Sequence, residues 1–266
     1  MSSPEPAASG SARPKFAQDH QLPSQGLLYD GKLPDGNVVL IPWRLEDIKT
    51  MISPGANPIT TFDRVIDRCW WEKPFNVQDL LTGDRFFILV VTRWMTFGPT
   101  YHFKAMCKNC RKTIQHEINL QEDLRVMIMG QDDVDPFTVV MPISGAKIGL
   151  RHLRGRDEAE IQRYGKQIKP SGKADLSDPT FAYQIARQIV SIDGKDAKPL
   201  DALNWLQGRG DNELHGRDAF AILDAVEQHD CGVNLTVSAN CSSCGFEDEM
   251  VMPMDTDFFR PRASRP

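Results

Sequence analysis

The sequence predicts an α+β fold of short antiparallel strands with a helical insert. Two stretches carry this prediction, Cys107–Cys110 and Cys241–Cys244, because each is a Cys-x-x-Cys pair with a strand-like run on both sides. The segment between them contains several runs with apolar residues at helical spacing. With 266 residues, the chain is long enough for one large domain or two small ones.

Composition and charge argue against two classes of partner. The formal net charge is -5, whereas a general binder of phosphate backbones usually carries a basic surplus, so no nucleic acid is expected. The best apolar run, Phe86–Val91, is far shorter than the roughly 18 residues of a membrane span. The N-terminus is rich in Ser, Pro and Ala and shows no signal peptide. We therefore expect no membrane contact and a reducing cytoplasm, where paired cysteines indicate metal or redox chemistry rather than disulfides.

The first hundred residues predict an arm followed by a mixed part. Residues 1–21 carry few large apolar side chains, which predicts a flexible N-terminal arm. Residues 22–100 predict a mixed helical and extended part. This part contains a predicted strand over Val38–Ile41. It also contains three predicted helices: one over Trp43–Ile52, one that starts at a cap at Thr60 or Thr61 and ends at Cys69, and one over Arg85–Thr96.

Residues 121–231 predict a hairpin followed by helices. The hairpin strands are Phe137–Pro142 and Lys147–Leu153, with a turn at Ser144-Gly145. Four helices are predicted after the hairpin. The first begins at an Asp157 cap and carries Ile161 to Ile168, and the second runs from Asp178-Pro179 through Phe181, Ile185 and Ile189 to Ile192. The third runs from Pro199 to Leu206, and the fourth covers Asp211–His229. Phe220 is expected to face inward in the last of these.

Residues 101–120 and 232–252 predict two knuckle hairpins that together make a zinc ribbon. The flanking strands are Tyr101–Met106, Thr113–Leu120, Val233–Ala239 and Phe246–Met252. Zinc takes four ligands in a tetrahedron and thiolates suit it, so the predicted ligands of a structural Zn²⁺ are Cys107, Cys110, Cys241 and Cys244. The metal would close a very long loop, which strongly constrains the unfolded chain. We expect residues 253–266 to be a C-terminal tail.

Other interpretations of the cysteines stay open. The pairs could simply line turns, or one could be a redox motif, although a redox pair sits at a helix N-terminus and these lead into strands. A zinc hydrolase would need an open coordination position, which four thiolates deny. Cys69 and Cys231 have no partner at this spacing and are expected to be structural. We find no catalytic or cofactor-binding set, and the acidic pairs Glu46-Asp47 and Glu158/Glu160 are expected to be solvated.

Aromatic residues are the other feature of the sequence. Most of the five tryptophans, Trp43, Trp70, Trp71, Trp94 and Trp205, are expected in the core. Leu27–Tyr29 and Phe258–Arg260 are expected to contact partners, because they lie in irregular ends that have no core of their own to fill.

Several stretches carry a family resemblance. They are Leu22–Tyr29, Gly83–Phe87, Thr96–Pro99 with its strand into the first cysteine pair, and Leu150–Glu158. Together they resemble the baseplate hub protein family of T-even-type contractile-tailed bacteriophages over roughly residues 22–165, rejoining at 233–252.

The resemblance implies a non-enzymatic tail component or assembly factor, made in the host cytoplasm and located in the virion tail baseplate. Its partners would be other baseplate and tail proteins, contacted through the terminal arms and exposed aromatics. The alternative is a zinc-ribbon nucleic-acid-binding or transcription-associated factor. Arg111-Lys112 and the arginines of the tail would serve that role, and the acidic net charge counts against it.

Overall fold

The computed structural model describes residues 12–53, 57–168, 180–208, 214–254 and 256–259. Short helices and short antiparallel strands alternate along the chain, which confirms the predicted α+β class. The helices are α1 (Leu45–Met51), α2 (Pro58–Cys69), α3 (Thr82–Phe97), α4 (Gly155–Gln167), α5 (Phe181–Gln188), α6 (Pro199–Leu206), α7 (Gly216–His229) and α8 (Thr256–Phe259). The strands are β1 (Gln18–Gln21), β2 (Asn37–Leu40), β3 (Trp70–Trp71), β4 (Thr100–Met106), β5 (Thr113–Asn119), β6 (Arg125–Met127), β7 (Phe137–Val140), β8 (Lys147–Leu150), β9 (Ile189–Ile192), β10 (Lys195–Asp196), β11 (Gly232–Asn234), β12 (Thr236–Asn240) and β13 (Glu247–Val251).

The N-terminal part packs α1, α2 and α3 around a small antiparallel sheet in the order β1-β2-β3. Strand β1 lies inside the segment expected to be a flexible arm, so the ordered chain begins before Leu22. The backbone of β1 pairs with that of β2. The polar composition of β1 does not predict this pairing. The residues of the expected arm before Ala12 lie outside the described residues.

Helix α3 is the central element and confirms the helix predicted for Arg85–Thr96. Ile88 and Leu89 pack into the core of the N-terminal part, while Val90 packs against the cysteine hairpins. Because both sides of the helix are covered, its β-branched residues serve packing and do not produce a strand. Helix α2 begins slightly earlier than expected, with the Asn57 side chain accepting a hydrogen bond from the N–H of Ile59.

The helical insert packs α5, α6 and α7 with the antiparallel sheet β10-β9-β8-β7. The helix expected to continue to Ile192 ends at Gln188, and β9 instead pairs with β8. Its Ile-Val-Ser-Ile sequence favours a strand, and Asp193-Gly194 forms the turn into β10 rather than a helix stop. The expected cap at Asp178-Pro179 lies outside the described residues.

Two aromatic residues of the insert helices are solvent-exposed. Phe181 is 51% exposed and Phe220 is 74% exposed. The buried positions of α7 include Ile222 and Ala225, so the inward stripe lies on a different side of the helix from Phe220. The expectation that Phe220 faces inward was therefore wrong, because an aromatic side chain at roughly helical spacing does not by itself identify the buried face.

The two cysteine hairpins, β4–β5 and β12–β13, pack against each other and against α3 and α8. The strand expected over Val233–Ala239 is two strands: β11 pairs with β6, and β12 forms the hairpin with β13. Phe258 from α8 is fully buried in this core, and its carbonyl oxygen accepts a hydrogen bond from Arg93 Nε at 3.2 Å. Phe258 is therefore a core residue and the expectation that it contacts a partner was wrong, whereas Arg260 lies outside the described residues.

Candidate metal centre

The two Cys-x-x-Cys turns have the same backbone geometry. In the first, the N–H of Arg111 donates to the carbonyl of Cys107 at 2.9 Å, and Cys107 N–H donates to Lys112 at 3.0 Å. In the second, Gly245 N–H donates to Cys241 at 2.8 Å, and Cys241 N–H donates to Phe246 at 2.9 Å. The residue after each pair has a left-handed backbone, with φ of 58° at Arg111 and 70° at Gly245. Each turn therefore presents its two thiols on the same side.

The four thiols of the two turns come together at the tips of the hairpins. The Sγ atoms of Cys107 and Cys244 are 3.8 Å apart, and those of Cys110 and Cys241 are 3.7 Å apart. All four lie within 4.8 Å of one another. A tetrahedron with metal–sulfur bonds of about 2.3 Å has S–S edges of about 3.8 Å, whereas a disulfide needs about 2.05 Å. The spacing fits thiolates around one metal ion and does not fit disulfides.

The thiols affect one another's ionisation. A backbone hydrogen bond from Phe246, aided by the neighbouring thiols, lowers the pKa of Cys244 to about 6. At Cys110 the backbone hydrogen bond from Lys112 acts in the same direction, but burial and the other three thiols prevail and raise the pKa to about 11. Four adjacent thiolates are therefore unfavourable unless a cation neutralises them, and this is the charge balance that a bound metal supplies.

Polar side chains join the two turns around the sulfur cluster. Lys108 Nζ lies 2.8 Å from Asp248 Oδ2, and Lys112 Nζ donates to Ser243 Oγ at 2.8 Å. The Asn109 amide is 3.7 Å from Cys244 Sγ. These contacts hold one turn on the other, and the sequence does not reveal them because they join residues far apart in the chain. Both lysine side chains pair with groups of the protein itself. This pairing weakens the alternative in which the region is a basic surface that binds nucleic acid.

The remaining cysteines are core residues, as predicted. Cys69 and Cys231 are buried in the N-terminal core. Burial raises the pKa of Cys69 to about 12 and raises that of Cys231 as well. Neither thiol belongs to the four-sulfur cluster.

A family model described as T4 bacteriophage base plate protein matches residues 28–260. The chain belongs to this family. Comparison with curated proteins and with solved structures finds no match. Membership implies the virion tail as the location and other phage tail proteins as partners. None of the described helices is both long and apolar enough to cross a bilayer.

In this baseplate protein, three of the four stretches that resemble the phage family meet in a buried polar network. Asp84 accepts hydrogen bonds from the backbone N–H of Ser24 at 3.0 Å and from the Tyr29 hydroxyl at 2.6 Å. The same hydroxyl accepts from the N–H of Leu81 at 2.9 Å. Arg154 donates to the carbonyl of Leu28 at 2.9 Å, with its guanidinium 5.7 Å from the Tyr29 ring. Tyr29 is therefore a structural core residue, and the expectation that it contacts a partner was wrong.

A second group of buried charges continues this network. Arg85 pairs with Asp63 at 2.6 Å and with Glu158 at 3.1 Å. Gly155 lies directly beside it, since a Cβ there would be 2.4 Å from Arg85 Nη1. Burial raises the pKa of Glu158, and the charge of Arg85 opposes that rise. Glu158 was expected to be solvated, and the structure instead places it in this largely buried ion group.

Asp47 and Asp157 are further buried carboxylates close to helix starts. Asp47 was expected to be solvated, but it is buried, accepts from the N–H of Arg44 at 2.8 Å and pairs with Arg68 at 3.0 Å. Asp157 accepts two hydrogen bonds from Arg151, at 2.8 and 2.7 Å. Helix starts favour negative charge, so these carboxylates serve as caps and ion-pair partners.

Proposed function

We propose that this protein is a non-enzymatic structural or assembly component of the phage tail baseplate hub. We further propose that Cys107, Cys110, Cys241 and Cys244 hold one structural Zn²⁺. Family membership supports a baseplate protein, and the hub assignment rests on the resemblance of the four sequence stretches named above.

The observation that carries the metal assignment is the four-sulfur cluster at the tips of two hairpins. Sulfur–sulfur distances of 3.7 and 3.8 Å match the edge of a tetrahedral thiolate site. Tetrahedral all-thiolate sets select zinc or iron, and zinc is the common structural ion. Such a set uses all four coordination positions, so it offers no open position for a water or a substrate.

The position of the cluster supports a structural role for the metal. One hairpin precedes the helical insert and the other follows it, so a shared ion fixes the two ends of the insert to each other. Closing so long a loop removes many conformations from the unfolded chain, and metal binding energy becomes folding energy. The cysteines would thus shape a building block of the baseplate.

Assembly in the phage tests this function. A phage whose gene carries Cys110→Ser should give lysates without complete tails by electron microscopy, because the protein fails to fold. Ser242→Ala is the matched control, since Ser242 is exposed in the second turn and offers no ligand. Normal tails in the cysteine variant, or normal tails after deletion of the gene, would overturn the proposal. Mass spectrometry of purified virions then decides between a component of the particle and a factor used only in assembly.

The proposed absence of enzymatic activity has its own test. Complementation with catalytic amounts of protein from a weakly expressed gene should fail for a stoichiometric component, and tail yield should rise in proportion to the protein supplied. Full tail yield at trace levels of the protein would contradict a structural role in the particle and favour a factor that acts repeatedly.

A further inference from the structure

His152 occupies a buried position where three segments of the insert meet. It follows β8, and its side chain is only 6% exposed. Its Nδ1 atom is 2.7 Å from Asp135 Oδ1, in the loop before β7. Its Nε2 atom is 2.8 Å from the carbonyl oxygen of His229, the last residue of α7.

The hydrogen-bond partners decide the protonation of this ring. A backbone carbonyl only accepts hydrogen bonds, and an ionised carboxylate does the same. Neutral imidazole has one N–H, so it can make only one of the two bonds, whereas imidazolium makes both. The backbone N–H of His152 also donates to Asp135 Oδ1 at 2.8 Å, which fixes that oxygen at the ring. Both ring nitrogens therefore face acceptors at short distance.

We propose that His152 is a buried imidazolium that clasps the C-terminal end of α7 to the β7–β8 hairpin in a pH-dependent manner. This clasp, formed by His152 with Asp135 and the His229 carbonyl, fixes the end of α7, where the chain leaves the insert. Directly after His229, residues Asp230 and Cys231 lead into β11 and then to the second cysteine hairpin. A cation at the carboxyl end of a helix also interacts favourably with the helix dipole. This inference does not depend on the proposed metal or on the proposed hub role.

The charges around the ring favour the cation. Asp135 faces it directly, and Asp230 contributes a second negative charge from the end of α7. The ring of His229 stacks on Phe137 at 4.4 Å and is itself paired with Asp133 at 2.8 Å. The neighbouring guanidinium, that of Arg151, reaches the carbonyl oxygen of His152 but is paired with the Asp157 carboxylate. The carboxylates that face the ring are therefore not neutralised by this arginine.

The sign of the pH effect follows from this environment. Burial acts to lower the pKa of His152, but the hydrogen bonds to Asp135 and His229 outweigh it, so the pKa lies above its usual 6.5. A group whose pKa is raised on folding stabilises the folded state fully below its unfolded pKa. That stabilisation is lost as the pH rises through the folded pKa. The clasp should therefore be closed in mildly acidic solution and weaken toward alkaline pH.

Ring-nitrogen NMR on the full chain labelled with ¹⁵N-histidine tests the clasp directly. At pH 6 we expect two slowly exchanging ring N–H signals from His152, both lost in His152→Asn. The control is His102→Asn, because His102 is exposed on β4, 3.4 Å from Glu117. Two signals that persist in the control and vanish in the variant support the clasp. A single ring N–H from His152 at pH 6 would overturn it, and this readout needs only the wild-type chain if the variant does not fold.

Thermal unfolding as a function of pH provides the second readout. The wild-type and His102→Asn midpoints should fall as the pH rises above about 6.5, the unfolded value for histidine. His152→Asn can still donate to Asp135 but cannot titrate, so its midpoint should be lower at pH 6 and should fall less over the same range. An equal fall in His152→Asn and the wild type would show that the titrating group lies elsewhere, and would refute the proposal.

Discussion

Replacing Tyr29 with phenylalanine removes one buried hydroxyl and leaves the other ring contacts in place. The ring stacks on Phe75 with centroids 5.0 Å apart and lies 5.7 Å from the Arg154 guanidinium, and both contacts persist in Tyr29→Phe. The hydroxyl alone donates to Asp84 at 2.6 Å and accepts from Leu81 N–H at 2.9 Å. The substitution therefore isolates two buried hydrogen bonds.

The loss of either hydrogen bond should be costly, because the Asp84 carboxylate and the Leu81 N–H are buried and cannot bind water instead. The Leu81 N–H left without an acceptor costs about 1–3 kcal/mol, and a bond to a charged group contributes about 1.5–3 kcal/mol. Asp84 keeps its bond from Ser24, which limits the second loss. We therefore expect Tyr29→Phe to lower the free energy of unfolding by about 3 kcal/mol, or the melting midpoint by about 6–12 °C for a chain of this size.

Urea and thermal unfolding of purified protein measure this cost. Tyr164→Phe is the matched control, because Tyr164 is partly exposed and its ring, like that of Tyr29, stacks on another aromatic ring, that of Tyr183, with centroids 4.0 Å apart. Water can reach the partly exposed side chain of Tyr164, so we expect a loss of about 1 kcal/mol or less. Equal losses in the two variants, or a Tyr29→Phe loss below about 1 kcal/mol, would show that the network around Asp84 does not stabilise the fold as described.

Three further substitutions, one of them with its own exposed control, test other parts of the fold. Gly155→Ala places a methyl group against the Arg85 guanidinium, and urea unfolding should show a loss of about 1–3 kcal/mol; no loss would mean that Arg85 moves freely. Phe258→Ala should cost about 3–5 kcal/mol in the same assay, since its side chain is fully buried, whereas the exposed Phe220→Ala should change stability by under about 0.5 kcal/mol; similar values would contradict the core assignment. Burial acts to raise the pKa of Asp157, but the hydrogen bonds and charges of its arginine partners hold this pKa below the usual 3.8. The ionised carboxylate therefore stabilises the folded state at neutral pH. The stability difference between Asp157→Asn and wild type should be constant from neutral pH to about pH 5 and shrink only below 3.8. A difference that fades already near pH 6 would show that another group is responsible.

Local patterns in the sequence predicted the parts of the fold that depend on neighbours in the chain. The cysteine hairpins were predicted because a Cys-x-x-Cys turn between alternating strands is complete within about twenty residues. Helix α3 was predicted from its length and from the Gly98-Pro99 stop signal. The meeting of Cys107 and Cys110 with Cys241 and Cys244 followed from matching the two hairpins, which share one geometry.

The parts that were mispredicted depend on partners far away in the sequence. Strand β1 exists because β2 pairs with it, and β9 exists because β8 pairs with it. Tyr29 and Phe258 lie in irregular segments that looked like partner-binding ends, yet the rest of the chain builds cores around them. Glu158 and Asp47 looked solvated because their arginine partners, Arg85 and Arg68, come from other helices. Nothing in a local pattern shows such pairings.

X-ray absorption at the zinc edge, on the purified full chain with its metal content measured, decides whether the two cysteine pairs hold one metal ion between them. We predict one zinc per chain, four sulfur neighbours at about 2.3 Å, and loss of the metal together with folding in Cys110→Ser but not in Ser242→Ala. Nitrogen or oxygen atoms among the zinc neighbours, disulfides between the cysteines, or a Cys110→Ser protein that folds as stably as the wild type would contradict it.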